Sequence, residues 1–194
     1  ANDGANSIFR ALRDNTDGAQ DRFLSEIVRI MEKYPWCDGI DIDLERGDGY
    51  STHTESTAMF CNIYNTVKAY DPAKHMNICL PGMTSVNGSV GGENWCVYGD
   101  LDAYCDTASI MSYGMAWAGS APGPVSPRSW LEGIYDYATR VMDPDKIFLG
   151  MPAYGWNWQI YDTPENLGET YRGVSNTYYA ARYWMTGAYN FTGD

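Results

Sequence analysis

Asp38-Gly39-Ile40-Asp41-Ile42-Asp43-Leu44-Glu45 is the stretch that decides how this chain folds. Side chains alternate across an extended strand with a period of two. Asp41, Asp43 and Glu45 therefore share one face, and Ile40, Ile42 and Leu44 share the other. Successive carboxylates on such a strand stand roughly 6.5–7 Å apart. A strand of a parallel sheet is normally apolar on both faces, and acids are costly to bury without a purpose. Three readings compete: a catalytic site, a solvated edge strand, and a site for a hard cation. Crowded carboxylates do not all ionise easily, so at least one pKa should rise. A raised pKa on the outermost acid suits a general acid near neutral pH. Glu45 is outermost, has the longest side chain, and sits at the C-terminal end of the strand, where barrel active sites form.

The elements on either side set the fold class. Phe23, Leu24, Ile27, Val28, Met31 and Tyr34 recur at helical spacing over 20–34. Met59, Phe60, Ile63, Tyr64 and Val67 do the same over 55–70, and Asp71-Pro72 stops that helix. Met76 to Leu80 reads as a short apolar strand, ended by Pro81-Gly82. A Gly/Asn/Ser-rich loop follows, and Thr107 to Tyr113 is the next strand. Trp130, Leu131, Ile134, Tyr137, Ala138 and Val141 mark another helix. Ile147 to Met151 reads as a buried strand closed by Pro152, and a helix is expected near 175–186. Alternating strands and helices imply right-handed βαβ units on a parallel sheet. A closed eight-stranded barrel of this type takes roughly 250 residues, more than the 194 present. The expected fold is thus an α/β chain with part of a (β/α)8 TIM barrel. The chain opens on Ala1-Asn2-Asp3 without a signal-peptide pattern, as expected of a processed or excised piece.

Composition narrows the function classes. The net charge of −12 disfavours phosphate backbones and anionic lipid, so neither nucleic acid nor membrane is an expected partner. No run approaches the roughly 18 apolar residues of a membrane helix. Five Cys without a C-x-x-C, and two His, argue against zinc; no metal and no cofactor is expected. Cys37 and Cys79 adjoin apolar runs and read as small core residues, while Cys96 and Cys105 are left open as a pair. His53 and His75 read as surface residues. Gly82, Gly88, Gly91 and Gly92 lack the Gly-Lys-Ser/Thr end of a phosphate loop. Aromatics make up 14% of the chain, a large core or a stacking surface for sugar rings. Trp117, Trp156 and Trp158 follow strand ends, where they either stack on sugar or cap the core. Tyr154 is a cleft candidate, and Trp95 either lines a cleft or anchors its loop.

D-G-I-D-I-D-L-E resembles the D-G-x-D-x-D-x-E signature of glycoside hydrolase family 18, the chitinase family. Ile78-Cys79-Leu80-Pro81 looks like that family's next strand, and Met111-Ser112-Tyr113 like the start of its M-x-Y-D motif. Leu149-Gly150-Met151-Pro152-Ala153-Tyr154-Gly155 is similar to its L-G-x-P-x-Y-G strand. Gly119 to Val125, followed by Trp130, is similar to the branch found in bacterial spore-cortex and other cell-wall glycosidases. The resemblance runs to about Trp158 and places these strands as the fourth to seventh of the barrel. It implies one catalytic domain over 1–194, belonging to a longer parent protein.

The resemblance also implies roles. Glu45 would protonate the glycosidic oxygen. Asp43 would turn between Asp41 and the substrate acetamide, with Asp41 supporting it. Tyr113 would hydrogen-bond the acetamide, whose own oxygen attacks the anomeric carbon and forms an oxazolinium ion. Such substrate assistance is the family's known exception to the two-carboxylate scheme. Met111, Tyr154, Trp117, Trp156 and Trp158 would line the substrate side. The implied substrate is chitin-like or peptidoglycan glycan, which suggests an extracellular or cell-wall location; the incomplete barrel suggests the rest of a larger cell-wall or virion protein as a partner. One departure stands out: Gly114 occupies the place of the family's Asp after Tyr. Losing that charged hydrogen bond would cost roughly 1.5–3 kcal/mol. Met115 and Ala116 also replace polar positions. A carbohydrate-binding protein with little turnover, or a structural module, are the alternatives, and an open sheet would need its two edges covered.

Overall fold

The computed structural model describes residues 3–45, 52–86, 88, 95–158 and 173–177. The chain divides into two compact units, residues 1–112 with 132–150, and residues 113–131 with 151–194.

The first unit is built on a four-stranded parallel sheet in chain order. Its strands are β1 (Gly39–Ile42), β2 (His75–Pro81), β3 (Thr107–Met111) and β4 (Ile147–Leu149). The helices α1 (Asp3–Arg13), α2 (Ala19–Lys33) and α3 (His53–Tyr70) precede or connect them, with a short α4 (Tyr98–Leu101). Helix α5 (Arg128–Val141) begins in the second unit and continues into the first. Four parallel strands joined through helices are half of a (β/α)8 set, so the α/β partial barrel expected from the sequence is what forms.

One face of the sheet carries the core. Met76, Ile78 and Leu80 of β2 and Ala108 and Ile110 of β3 are fully buried, as are Phe60, Ile63 and Val67 of α3 and Ile134 and Ala138 of α5. Trp95 belongs to this core: it stacks on Phe60 at 5.3 Å and meets Phe9 of α1 at 5.3 Å. That settles its role as an anchor rather than a cleft residue. Helix α1, which the sequence reading omitted, is held by Phe9 and Leu12. Gln20 is buried between helices, donating to Leu12 O at 2.8 Å and accepting from Asn62 at 2.7 Å.

Several expectations are corrected. Strand β4 is not buried: Phe148 is 58% exposed. Cys37 is exposed and Cys79 half-buried, so neither is a core residue. Cys96 and Cys105 are buried thiols and form no disulfide with each other. The expected helix near 175–186 fails where it can be read. Residues Gly173–Thr177 form β6, antiparallel to β5 (Tyr154–Trp158) in the second unit; the remainder of that stretch lies outside the described residues. His75 is exposed, as expected, and His53 is half-buried.

Candidate active site

The Gly of the acidic stretch has a structural cause. A Cβ on Gly39 would stand 1.9 Å from the carbonyl oxygen of His75. Only glycine lets β1 come close enough to β2 at this end, where His75 N donates to Asp38 O at 2.8 Å. From there the register runs Asp41 opposite Asn77 and Ile42 opposite Ile78. Ladder pairing ends at Ile42, so Asp43, Leu44 and Glu45 lie just past the C-terminal end of the strand. Asp41, Asp43 and Glu45 are all exposed, whereas Ile42 is buried. Burial pushes the Asp43 carboxyl above its ordinary range, and the neighbouring Asp41 charge adds to the effect. The raised group is thus the middle acid.

The face that carries these acids is polar across the next two strands. Asn77 Nδ2 donates to Asp41 Oδ1 at 2.6 Å. The Cys79 thiol lies 3.6 and 3.8 Å from the two Asp41 oxygens. Burial, followed by the charges of Asp41 and Asp43, pushes that thiol up to about 12, so it stays protonated. Thr107 and Ser109 of β3 donate to Asn77 Oδ1 at 2.9 and 3.2 Å. The sequence reading did not single out Asn77, Cys79, Thr107 or Ser109 as site residues. The signal was present as alternation: Asn77 and Cys79 interleave with Met76, Ile78 and Leu80, and Thr107 and Ser109 with Ala108 and Ile110. Beside the acids, Phe23, Ile27 and Ile30 of α2 and Ile40, Ile42 and Leu44 line an apolar groove of about 390 Å³. Met111 closes β3 opposite Pro81 and is half-buried. Among the described residues, no three His, Cys, Asp or Glu side chains converge so as to hold a metal ion. No helix among them is long and apolar enough to cross a membrane.

The other site candidates belong to the second unit. Tyr113 and Tyr154 meet edge to face at 6.3 Å, and Tyr154 meets Trp156 likewise at 6.4 Å. Tyr154 and Trp156 line a cavity of about 430 Å³ together with Pro124, Val125, Met151 and Pro152. Trp117 is exposed, which suits a stacking surface. Trp158 pairs with Gly173 across the β5–β6 hairpin, and a Cβ on Gly173 would lie 3.0 Å from its indole nitrogen. Its ring nitrogen is buried, as is that of Trp156. Gly114 adopts φ of +94°, and its N–H donates to Val125 O at 3.0 Å. The residue standing in for the family's Asp therefore has a backbone conformation that favours glycine.

The family model of glycosyl hydrolases family 18 matches residues 2–190, and the chain belongs to that family. It is 29% identical over 150 residues to a cortical fragment-lytic enzyme of Bacillus anthracis, covering 77% of this chain and 33% of that protein. The fold is that of a chitinase from Chromobacterium violaceum, at a TM-score of 0.74 and 20% identity over 93% of this chain and 51% of that one. The spore cortex-lytic enzyme of Bacillus cereus shares it at a TM-score of 0.72 and 24% identity, over 88% and 37% of the two chains. The chain thus spans about half or less of the length of these relatives.

Proposed function

We propose that the protein carrying this chain is a retaining glycosidase that hydrolyses β-1,4-linked N-acetylglucosamine glycans, chitin-like or peptidoglycan, with Glu45 as general acid and base. The observation that carries the reading is the set of acids at the end of β1, with the Asp43 carboxyl raised by burial and by Asp41. Glu45 protonates the leaving oxygen. Asp43, its carboxyl raised by burial and by Asp41, turns toward the substrate acetamide and donates to it. Tyr113 donates to the acetamide carbonyl oxygen, whose attack on the anomeric carbon gives the oxazolinium ion. Water, activated by Glu45 in its base form, then opens the ion with net retention. Tyr154, Trp156 and Trp117 offer aromatic faces to sugar rings, with Met111 at the mouth of β3. Membership of family 18 and likeness to a cortical fragment-lytic enzyme support a cell-wall glycan as substrate and an extracellular or wall-associated location. Mass spectrometry of digests of chitin oligomers and purified peptidoglycan tests this. Products ending in N-acetylglucosamine are expected, and an unchanged glycan in both digests contradicts it.

A second reading, a glycan-binding protein with little turnover, is favoured by one observation. Gly114 removes the acid that follows Tyr in the family motif. Binding of chitin oligomers without any release of reducing ends would establish it.

A further inference from the structure

The polar face of β2 and β3 forms a hydrogen-bonded chain whose direction is fixed. Asn77 Oδ1 receives two hydroxyl donors, Thr107 Oγ1 at 2.9 Å and Ser109 Oγ at 3.2 Å. A hydroxyl has one proton to give. Thr107, having given its proton to Asn77, accepts at its contact with His75 Nε2, 2.8 Å away, so Nε2 bears the hydrogen. The Asn77 amide is thereby oriented, and only its N–H is turned toward Asp41, at 2.6 Å. Cys79 adds a second donor to the same carboxylate. Every donor in the chain points toward Asp41, and reversing it would require Asn77 to flip and Asp41 to become a donor.

We propose that Asn77 is a positioning residue which, clamped by Thr107 and Ser109 and assisted by Cys79, holds Asp41 as an acceptor and so leaves the proton of the Asp41–Asp43 pair on Asp43. The inference rests on the reading of Asp43 and Glu45 given above, and it assigns to β2 and β3 a task in that reaction. Around Asp41, among the described residues, the segment just past β1 supplies Asp43 and Glu45, β2 supplies Asn77, the Cys79 thiol and, through Thr107, His75, and β3 supplies the uncharged Thr107 and Ser109. Helix α2 contributes apolar Phe23, Ile27 and Ile30 to the groove beside it.

The test uses the full-length protein and the variants Asn77→Ala, Thr107→Val, Cys79→Ser and Cys79→Ala. Carboxyl carbons of Asp41 and Asp43 are followed by NMR against pH, which reads proton placement whether or not the protein turns over. Asn77→Ala should move the pair's titration to higher pH by half a unit or more, and Thr107→Val should shift it in the same direction by less. In turnover, kcat should fall roughly 10-fold or more in Asn77→Ala with KM nearly unchanged, and the acid limb of the kcat profile should move to higher pH. Cys79→Ser, which keeps a donor, should stay near wild type, while Cys79→Ala should fall between. Carboxyl titrations unaltered by both Asn77→Ala and Thr107→Val would overturn the proposal. A shifted titration in a protein without turnover would uphold the positioning role and reject the enzymatic reading. Should Asn77→Ala not fold, Thr107→Val and the Cys79 pair decide the matter alone.

Discussion

The α-carbon of Gly39 faces the carbonyl of His75 so closely that an added methyl would lie 1.9 Å from that oxygen. The contact is with backbone, which cannot rotate away. Gly39→Ala should therefore push β1 from β2 and cost about 1–3 kcal/mol of stability. Denaturant unfolding would show this as a lower midpoint at an unchanged slope. Because β1 carries Asp41, glycan hydrolysis should fall together with the stability.

Asp43 is expected to trade stability for function. Its folded-state pKa is raised, so its contribution to stability is fully present below the ordinary carboxylate range and is lost as pH rises through the folded value. Asp43→Asn removes that loss. The variant should be as stable as wild type at pH 7 or slightly more so, a small effect because the group is exposed. Its hydrolysis should nonetheless drop by about 100-fold or more. Thermal melts and initial rates on one preparation check both halves.

The pair of Lys68 and Asp106 should give the opposite pH dependence. Burial pushes the Asp106 carboxyl up, but the Lys68 ammonium at 2.7 Å and the Met76 N–H at 2.7 Å outweigh it and hold the carboxyl below its ordinary range. The stability it contributes is present above the ordinary carboxylate pKa and is lost as pH falls below about 4. Asp106→Asn should cost about 1 kcal/mol or more at pH 7, and the gap to wild type should narrow at pH 3. Equal gaps at both pH values would show that Lys68 does not set this carboxyl.

Gly114 invites an attempt to restore the family's acid. At φ of +94° an aspartate is strained, by about 1–2 kcal/mol. Space is not the obstacle, since nothing lies within 4 Å of an added Cβ. Gly114→Asp should thus lower the melting temperature, and any gain in turnover should appear against that loss.

Much of this fold could be read from residue patterns. The acidic strand, the helices at 19–33 and 53–70 and the parallel order of β1 to β4 all follow from periodicity and from the stops at Asp71-Pro72 and Pro81. The misses have physical causes. Helix α1 is short, and Phe9 and Leu12 give it too few apolar turns to stand out. Strand β4 looked buried because Ile147, Phe148 and Leu149 are apolar, yet residues on opposite faces of one strand can meet core and solvent, as Phe148 does. A helix is expected from the sequence near 175–186, but its start, Ser175 to Thr177, pairs with Trp156 to Tyr154 across a hairpin, a partner that local spacing does not reveal. At the site, the three acids stood out because charge on a parallel strand is rare. Asn77, Thr107 and Ser109 did not, because single neutral polar residues in short strands look ordinary until their register is known.

Glu45 is proposed to drive a retaining, substrate-assisted hydrolysis. Proton NMR of the first products released from a chitin oligomer by the full-length protein, beside its Glu45→Gln variant, tests it most directly. β-Anomeric reducing ends should appear before mutarotation, and the rate should be lower by about 100- to 10,000-fold in the variant. First products in the α-anomer, or an undiminished rate in Glu45→Gln, would contradict it.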